Sequence, residues 1–166
     1  MAITITLNLP MAELLSNKII QKIEQASELY HRLVLVVAPQ GSGKTSVLKK
    51  VQQILRTSVV NVNLEVSRQL LELTAKQQAL QLPRILEDIL RKAEIEVALL
   101  DNIEILFEVS LKQDPLRLLQ GLSRNRTIVA SWNGEIKDNY LTYASSDHPE
   151  YRRYPARELL VVTPQP

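Results

Sequence analysis

Apolar positions along the chain fall into two alternating patterns: short unbroken runs of Val, Ile and Leu, and longer stretches where apolar residues return every three or four positions. Unbroken runs suit strands buried on both faces, and the wider spacing suits one side of a helix. The alternation therefore predicts an α/β fold, a five-stranded, mostly parallel sheet flanked by helices. Strands are expected in the run beginning at Leu33 and at 59–64, 95–100, 127–132 and 158–162. A first helix is expected from 8–10 onward, with Pro10 near its first turn and Leu14, Leu15, Ile19, Ile20 and Ile23 on its apolar side. Further helices are expected at 44–56, 67–73 and 83–93, the last opened by Pro83. Asp114 and Pro115 read as the cap and first residue of another, ending near Gly121. Residues 76–81 read as a loop and 134–157 as an irregular surface segment.

Composition narrows this picture. The 166 residues, 45% of them hydrophobic, form one domain over 1–166 with a helical lead-in at 1–32. A net charge of +2 is too small to point to nucleic acid, and no helix-turn-helix or zinc-finger pattern is present, so DNA contact has no motif behind it. There is no cysteine, which removes disulfides, thiolate metal sites and cysteine nucleophiles. His31 and His148 lack metal-ligand spacing. No stretch resembles a signal peptide or a membrane span, so a cytoplasmic protein without membrane contact is expected.

The chemistry concentrates where the first strand breaks into Ala38-Pro39-Gln40-Gly41-Ser42-Gly43-Lys44-Thr45-Ser46. A strand, a glycine turn and a helix opening on Lys-Thr form a phosphate-binding P-loop, in which backbone N–H groups close around phosphate oxygens. Lys44 would reach the β and γ phosphates, and Thr45 would offer a hydroxyl to Mg²⁺. Ala38 stands where the general motif has its first glycine. The expected ligand is therefore ATP with Mg²⁺, on a P-loop NTPase fold of the additional-strand, AAA+-like kind, without a C-terminal helical lid. Asp101, ending the third strand, is the expected acid of the Mg²⁺ shell.

Hydrolysis also needs a group that positions water. Many additional-strand ATPases carry a glutamate directly after the acid, but this chain has Asn102. Glu104 and Glu65 are the candidate bases, Asn133 the candidate γ-phosphate sensor, and Arg152 or Arg153 the candidate arginine finger, with Arg124 and Arg126 a weaker pair. Trp132 reads as a core residue.

Beyond APQGSGKT, the strings NVNLEVSRQLLEL (61–73), VALLDNIEILF (97–107), QDPLRLLQGLSRNRTIVASWNG (113–134) and LTYASSDHPEYRRY (141–154) are distinctive. Together they resemble the BrxF family, small P-loop proteins of bacteriophage exclusion (BREX) systems, over roughly residues 33–154. The resemblance implies an ATPase-like component of a bacterial antiphage island, working beside a DNA methyltransferase, a helicase and other defence proteins. It carries over Gly41, Gly43, Lys44 and Thr45 as nucleotide residues and Asp101 as the strand-end acid. The leading expectation is an ATP-binding, ATP-hydrolysing module, slow or partner-dependent, whose nucleotide state controls assembly, including an ATP-favoured homo-oligomer. A P-loop small-molecule kinase and a non-hydrolysing, nucleotide-gated scaffold are the alternatives.

Overall fold

The computed structural model describes residues 2–93 and 95–164. Helix α1 (Ala2–Ala26) precedes strand β1 (Leu33–Ala38), helix α2 (Lys44–Leu55), the short strand β2 (Val59–Asn61) and helices α3 (Val62–Leu70) and α4 (Ala75–Lys92). Strand β3 (Val97–Asp101), two 3₁₀ turns (Glu104–Phe107 and Val109–Leu111) and helix α5 (Pro115–Leu122) come next. Strands β4 (Thr127–Lys137), β5 (Tyr140–Tyr143), β6 (Arg152–Pro155) and β7 (Leu160–Val162) complete the described chain.

The fold is α/β. Five strands pair in parallel in the order β2-β3-β4-β1-β7, and β5 and β6 extend β4 as an antiparallel meander. Strand side chains alternate, so each face of the sheet collects its own core. Val34, Val36, Leu99 and Val129 meet Leu15 and Ile19 of α1 and Val47, Leu48 and Val51 of α2. On the opposite face, Leu35, Val37, Leu100 and Ala130 meet α3, α4 and α5 through residues such as Val66, Leu86 and Leu119. Trp132 is fully buried there, as its place in an apolar run suggests.

Several boundaries differ from the sequence expectation. The second strand stops at Asn61 because the Asn61 side chain accepts the Leu64 N–H at 3.1 Å and starts α3 at once. Helix α1 begins before Pro10, and α5 runs past Gly121 to Leu122.

Residues 76–81 are helical, not a loop. A capping box of Thr74 and Gln77 opens α4 at Ala75, one residue before the expected loop, leaving Pro83 inside the helix. Proline has no N–H to give the carbonyl four residues back. Here that carbonyl, Ala79 O, accepts Gln113 Nε2 at 2.8 Å. Gln113→Ala is expected to cost about 1 kcal/mol in urea unfolding, the worth of a satisfied carbonyl. The loss should shrink in a Pro83→Ala background, where the helix supplies its own donor.

The segment 134–157 is not irregular as a whole. Residues Asp138 and Asn139 both have positive φ (52° and 65°), the geometry of a two-residue hairpin turn that matches strand twist. Among the described residues the sheet therefore has seven strands, and the fifth expected strand is β7.

Candidate functional site

Gly41 (φ 79°) and Gly43 (φ 95°) both adopt left-handed backbone angles, and a Cβ at either would meet nothing within 4 Å. Glycine is required here for conformation, not for room. Gly43 caps α2, so the first N–H groups of that helix, with their partial positive charge, point out of the turn. They border an open cleft of about 280 Å³ whose other walls are Asp101, Asn102, Glu104 and Asn133.

Lys44 is 9% exposed, and its Nζ donates to Ala38 O and Pro39 O, each at 2.8 Å. Burial holds its pKa below the ordinary lysine value, while the charges of Asp101 and Glu104 pull the other way. The ammonium thus closes the base of the turn and faces two carboxylates. Ser42 donates its N–H to Pro39 O within the turn, and Ser46 lies exposed on the first turn of α2; neither side chain lines the cleft.

Asp101 reaches this turn because of register. Leu99 and Val129 face α2, and Leu100 sits beside Ala130, so the next residues on the α2 side are Asp101 and Ser131. Asp101 Oδ2 accepts Thr45 Oγ1 at 2.7 Å. Its Oδ1 accepts Ser131 Oγ at 2.7 Å and the Asn102 N–H at 3.0 Å. Thr45 and Asp101 thereby present oxygen donors, the type that Mg²⁺ takes.

Asn102 has φ 52°, a left-handed angle that asparagine tolerates better than most side chains. The bend leads into the 3₁₀ turn that Glu104 opens, and Glu104 lines the cleft. Glu104 Oε1 accepts Asn133 Nδ2 at 2.6 Å, and its Oε2 accepts Asn63 Nδ2 at 3.3 Å. Asn63 is fixed in turn, accepting the Ile105 N–H at 2.8 Å and donating its own N–H to Asn102 O at 2.9 Å. Asn63 has no place in the sequence expectation, which puts it inside a strand. Its signal was a polar residue at the carboxyl end of a strand run, where α/β sheets gather their ligands.

No family model matches the chain, and no curated protein does. The roles of these residues therefore rest on their chemistry and placement.

The remaining candidates lie elsewhere. Glu65 pairs with Arg68 at 3.4 Å on α3 and borders a separate groove beside β2, outside the cleft. Arg152 Nη2 donates to Gln113 O at 3.0 Å, and Arg153 stacks its guanidinium 3.4 Å from the centre of the Tyr140 ring. Arg126 is buried in a two-pronged pair with Glu87, at 2.6 and 3.2 Å, which lowers the Glu87 pKa; Arg124 lies over Tyr30. Of the candidate base, sensor and arginines, the cleft gathers Glu104 and Asn133.

The 3₁₀ turn that Glu104 opens ends at Phe107, in an aromatic cluster. Phe107 stacks on Tyr143 with centroids 3.5 Å apart, and Trp132 meets both rings edge-on. Burial is the main reason the Tyr143 hydroxyl is pushed up to about 12. The arrangement combines a glycine turn at a helix N-terminus, a buried ammonium, two metal-compatible oxygens and a fixed carboxylate. Such a set can hold a polyphosphate and a divalent cation and orient a water molecule beside them.

Proposed function

We propose that this chain is an ATP-binding P-loop NTPase domain of the additional-strand kind, with slow hydrolysis in which Glu104 orients the attacking water. The observation that carries the reading is the meeting of the Gly43-Lys44-Thr45 turn with Asp101 through the 2.7 Å Thr45–Asp101 hydrogen bond. A second supports the class: β4 lies between the strand that leads into the turn and the strand that ends in Asp101. In such a domain the loop N–H groups and Lys44 bind the phosphates. Thr45 and Asp101 would hold Mg²⁺, which neutralises charge on the β and γ phosphates. Asn133 is the γ-phosphate sensor.

Both Glu104 oxygens are already engaged by asparagines, which favours slow turnover by the isolated chain. Among the described residues lining the cleft, Lys44 is the one cation, which favours a neighbouring subunit supplying an arginine and hence an ATP-dependent oligomer. Sizing that shows only monomer in MgATP across a wide concentration range overturns the oligomer.

Calorimetric titration with ATP, with and without Mg²⁺, tests the site; no heat at millimolar nucleotide under either condition sinks the reading. Glu104→Gln is expected to slow phosphate release about 100-fold while leaving MgATP affinity within about twofold. Glu65→Gln should change neither. A role in phage exclusion rests on the resemblance to the BrxF family. Its test is phage plating on cells whose defence island carries Lys44→Ala in this gene; unchanged protection would remove the assignment. Among the described residues no helix is long and apolar enough to cross a membrane.

A further inference from the structure

We propose that Ser131 is a positioning residue that turns the Asp101 carboxylate toward Thr45 and so sets how strongly the site prefers a Mg²⁺-bound nucleotide. The inference rests on the ATP reading above and concerns a side chain that the expected machinery does not include.

Ser131 interrupts an apolar strand: its neighbours Ala130 and Trp132 are fully buried, and Ser131 is itself only 4% exposed. A buried hydroxyl needs a partner to offset its lost hydration. Its partner is Asp101 Oδ1, at 2.7 Å. Asp101 is 5% exposed, so its orientation depends on protein donors more than on water.

Two donors hold Oδ1, and they differ in kind. The Asn102 N–H belongs to the adjacent residue and follows Asp101 along the chain. Ser131 sits on the neighbouring strand, at a register position fixed by the β3–β4 ladder. It is therefore the donor that ties the carboxylate to the sheet. With Oδ1 held on the sheet side, Oδ2 is left facing α2, where Thr45 Oγ1 meets it at 2.7 Å. Thr45 and Asp101 are the two groups assigned to Mg²⁺. Fixing one oxygen of a carboxylate so that the other is presented to a metal is how partners behind a ligand tune affinity, and their loss costs about 10–100-fold.

Ser131→Ala removes a hydroxyl from a strand without adding volume, and a cooperative unfolding transition confirms that the variant is folded. ATP binding to wild type and variant is measured by calorimetry in Mg²⁺ and in EDTA. The ratio of the two dissociation constants is the quantity read. In Ser131→Ala the preference for Mg²⁺ should fall about tenfold while EDTA affinity stays within about twofold. Ser131→Thr keeps the hydroxyl and should recover most of the preference.

If Ser131 only satisfies a buried charge, the variant melts earlier and keeps the wild-type ratio; that result overturns the proposal alone. Equal losses in Mg²⁺ and in EDTA overturn it as well. Wild-type protein that binds no ATP under either condition overturns the nucleotide reading, and the Ser131 role with it.

Discussion

Replacing Lys44 with alanine is expected to abolish the stabilisation that MgATP gives the wild-type chain. A ligand that binds only the folded state adds about 2.7 kcal/mol at a hundredfold excess over its Kd. For a chain of this size that is a rise of roughly 5–10 °C in the unfolding midpoint. Lys44 Nζ lies between the carbonyls of Ala38 and Pro39 and the carboxylates of Asp101 and Glu104, so it is the natural counter-charge for a polyphosphate. Removing it leaves two acids facing the phosphates. Stability without nucleotide should move far less, by about 1 kcal/mol, because the lost hydrogen bonds are offset by relief of a desolvated cation. The ligand-dependent shift, read by thermal unfolding in both proteins, separates the two effects. A shift that survives in Lys44→Ala would place the nucleotide elsewhere.

Gly134→Ala is the second large expected effect, a loss of about 3 kcal/mol in urea unfolding. A Cβ at Gly134 would overlap the Thr142 carbonyl oxygen and stand 3.0 Å from Trp132 Nε1. Those two atoms form a hydrogen bond of 3.0 Å, so the methyl group would crowd its acceptor, and relieving the overlap would disturb that bond. Backbone cannot swing aside as a flexible side chain can, and β4 and β5 are paired at this point, Gly134 beside Tyr143. Gly121→Ala is the control. It adds a methyl group on α5 with no atom within 4 Å and is expected to stabilise by roughly 0.5–1 kcal/mol. Similar behaviour of the two variants would mean that the meander shifts freely relative to β4.

The outcome of the sequence reading follows the range of the forces involved. The strand, turn and helix around 33–55 were legible because glycine conformation, helix capping and apolar runs act within a few residues. Strands β1 and β3 were legible for the same reason. What escaped depends on partners far along the chain. Pro83 reads as a helix start until Gln113, distant in sequence, is seen to satisfy Ala79 O. The extension of β4 past Trp132 depends on Gly134 admitting Thr142. Glu104 and Glu65 were equal candidates by composition, and only the bend at Asn102 and the grip of Asn63 separate them. The arginines were least legible of all. Charge alone does not tell that Arg126 is buried against Glu87 or that Arg153 lies on Tyr140.

The single tryptophan gives the molecule an optical property that follows from its packing. Trp132 is shielded from water, its indole N–H is committed to the β5 backbone, and the next residue along β4 is Asn133, the partner of Glu104. Its ultraviolet emission therefore comes from one environment, on the strand that joins the cleft to the meander. Any movement of Asn133 that drags β4 with it is written into the colour and yield of that emission, so the unlabelled protein carries its own fluorescent gauge of the site.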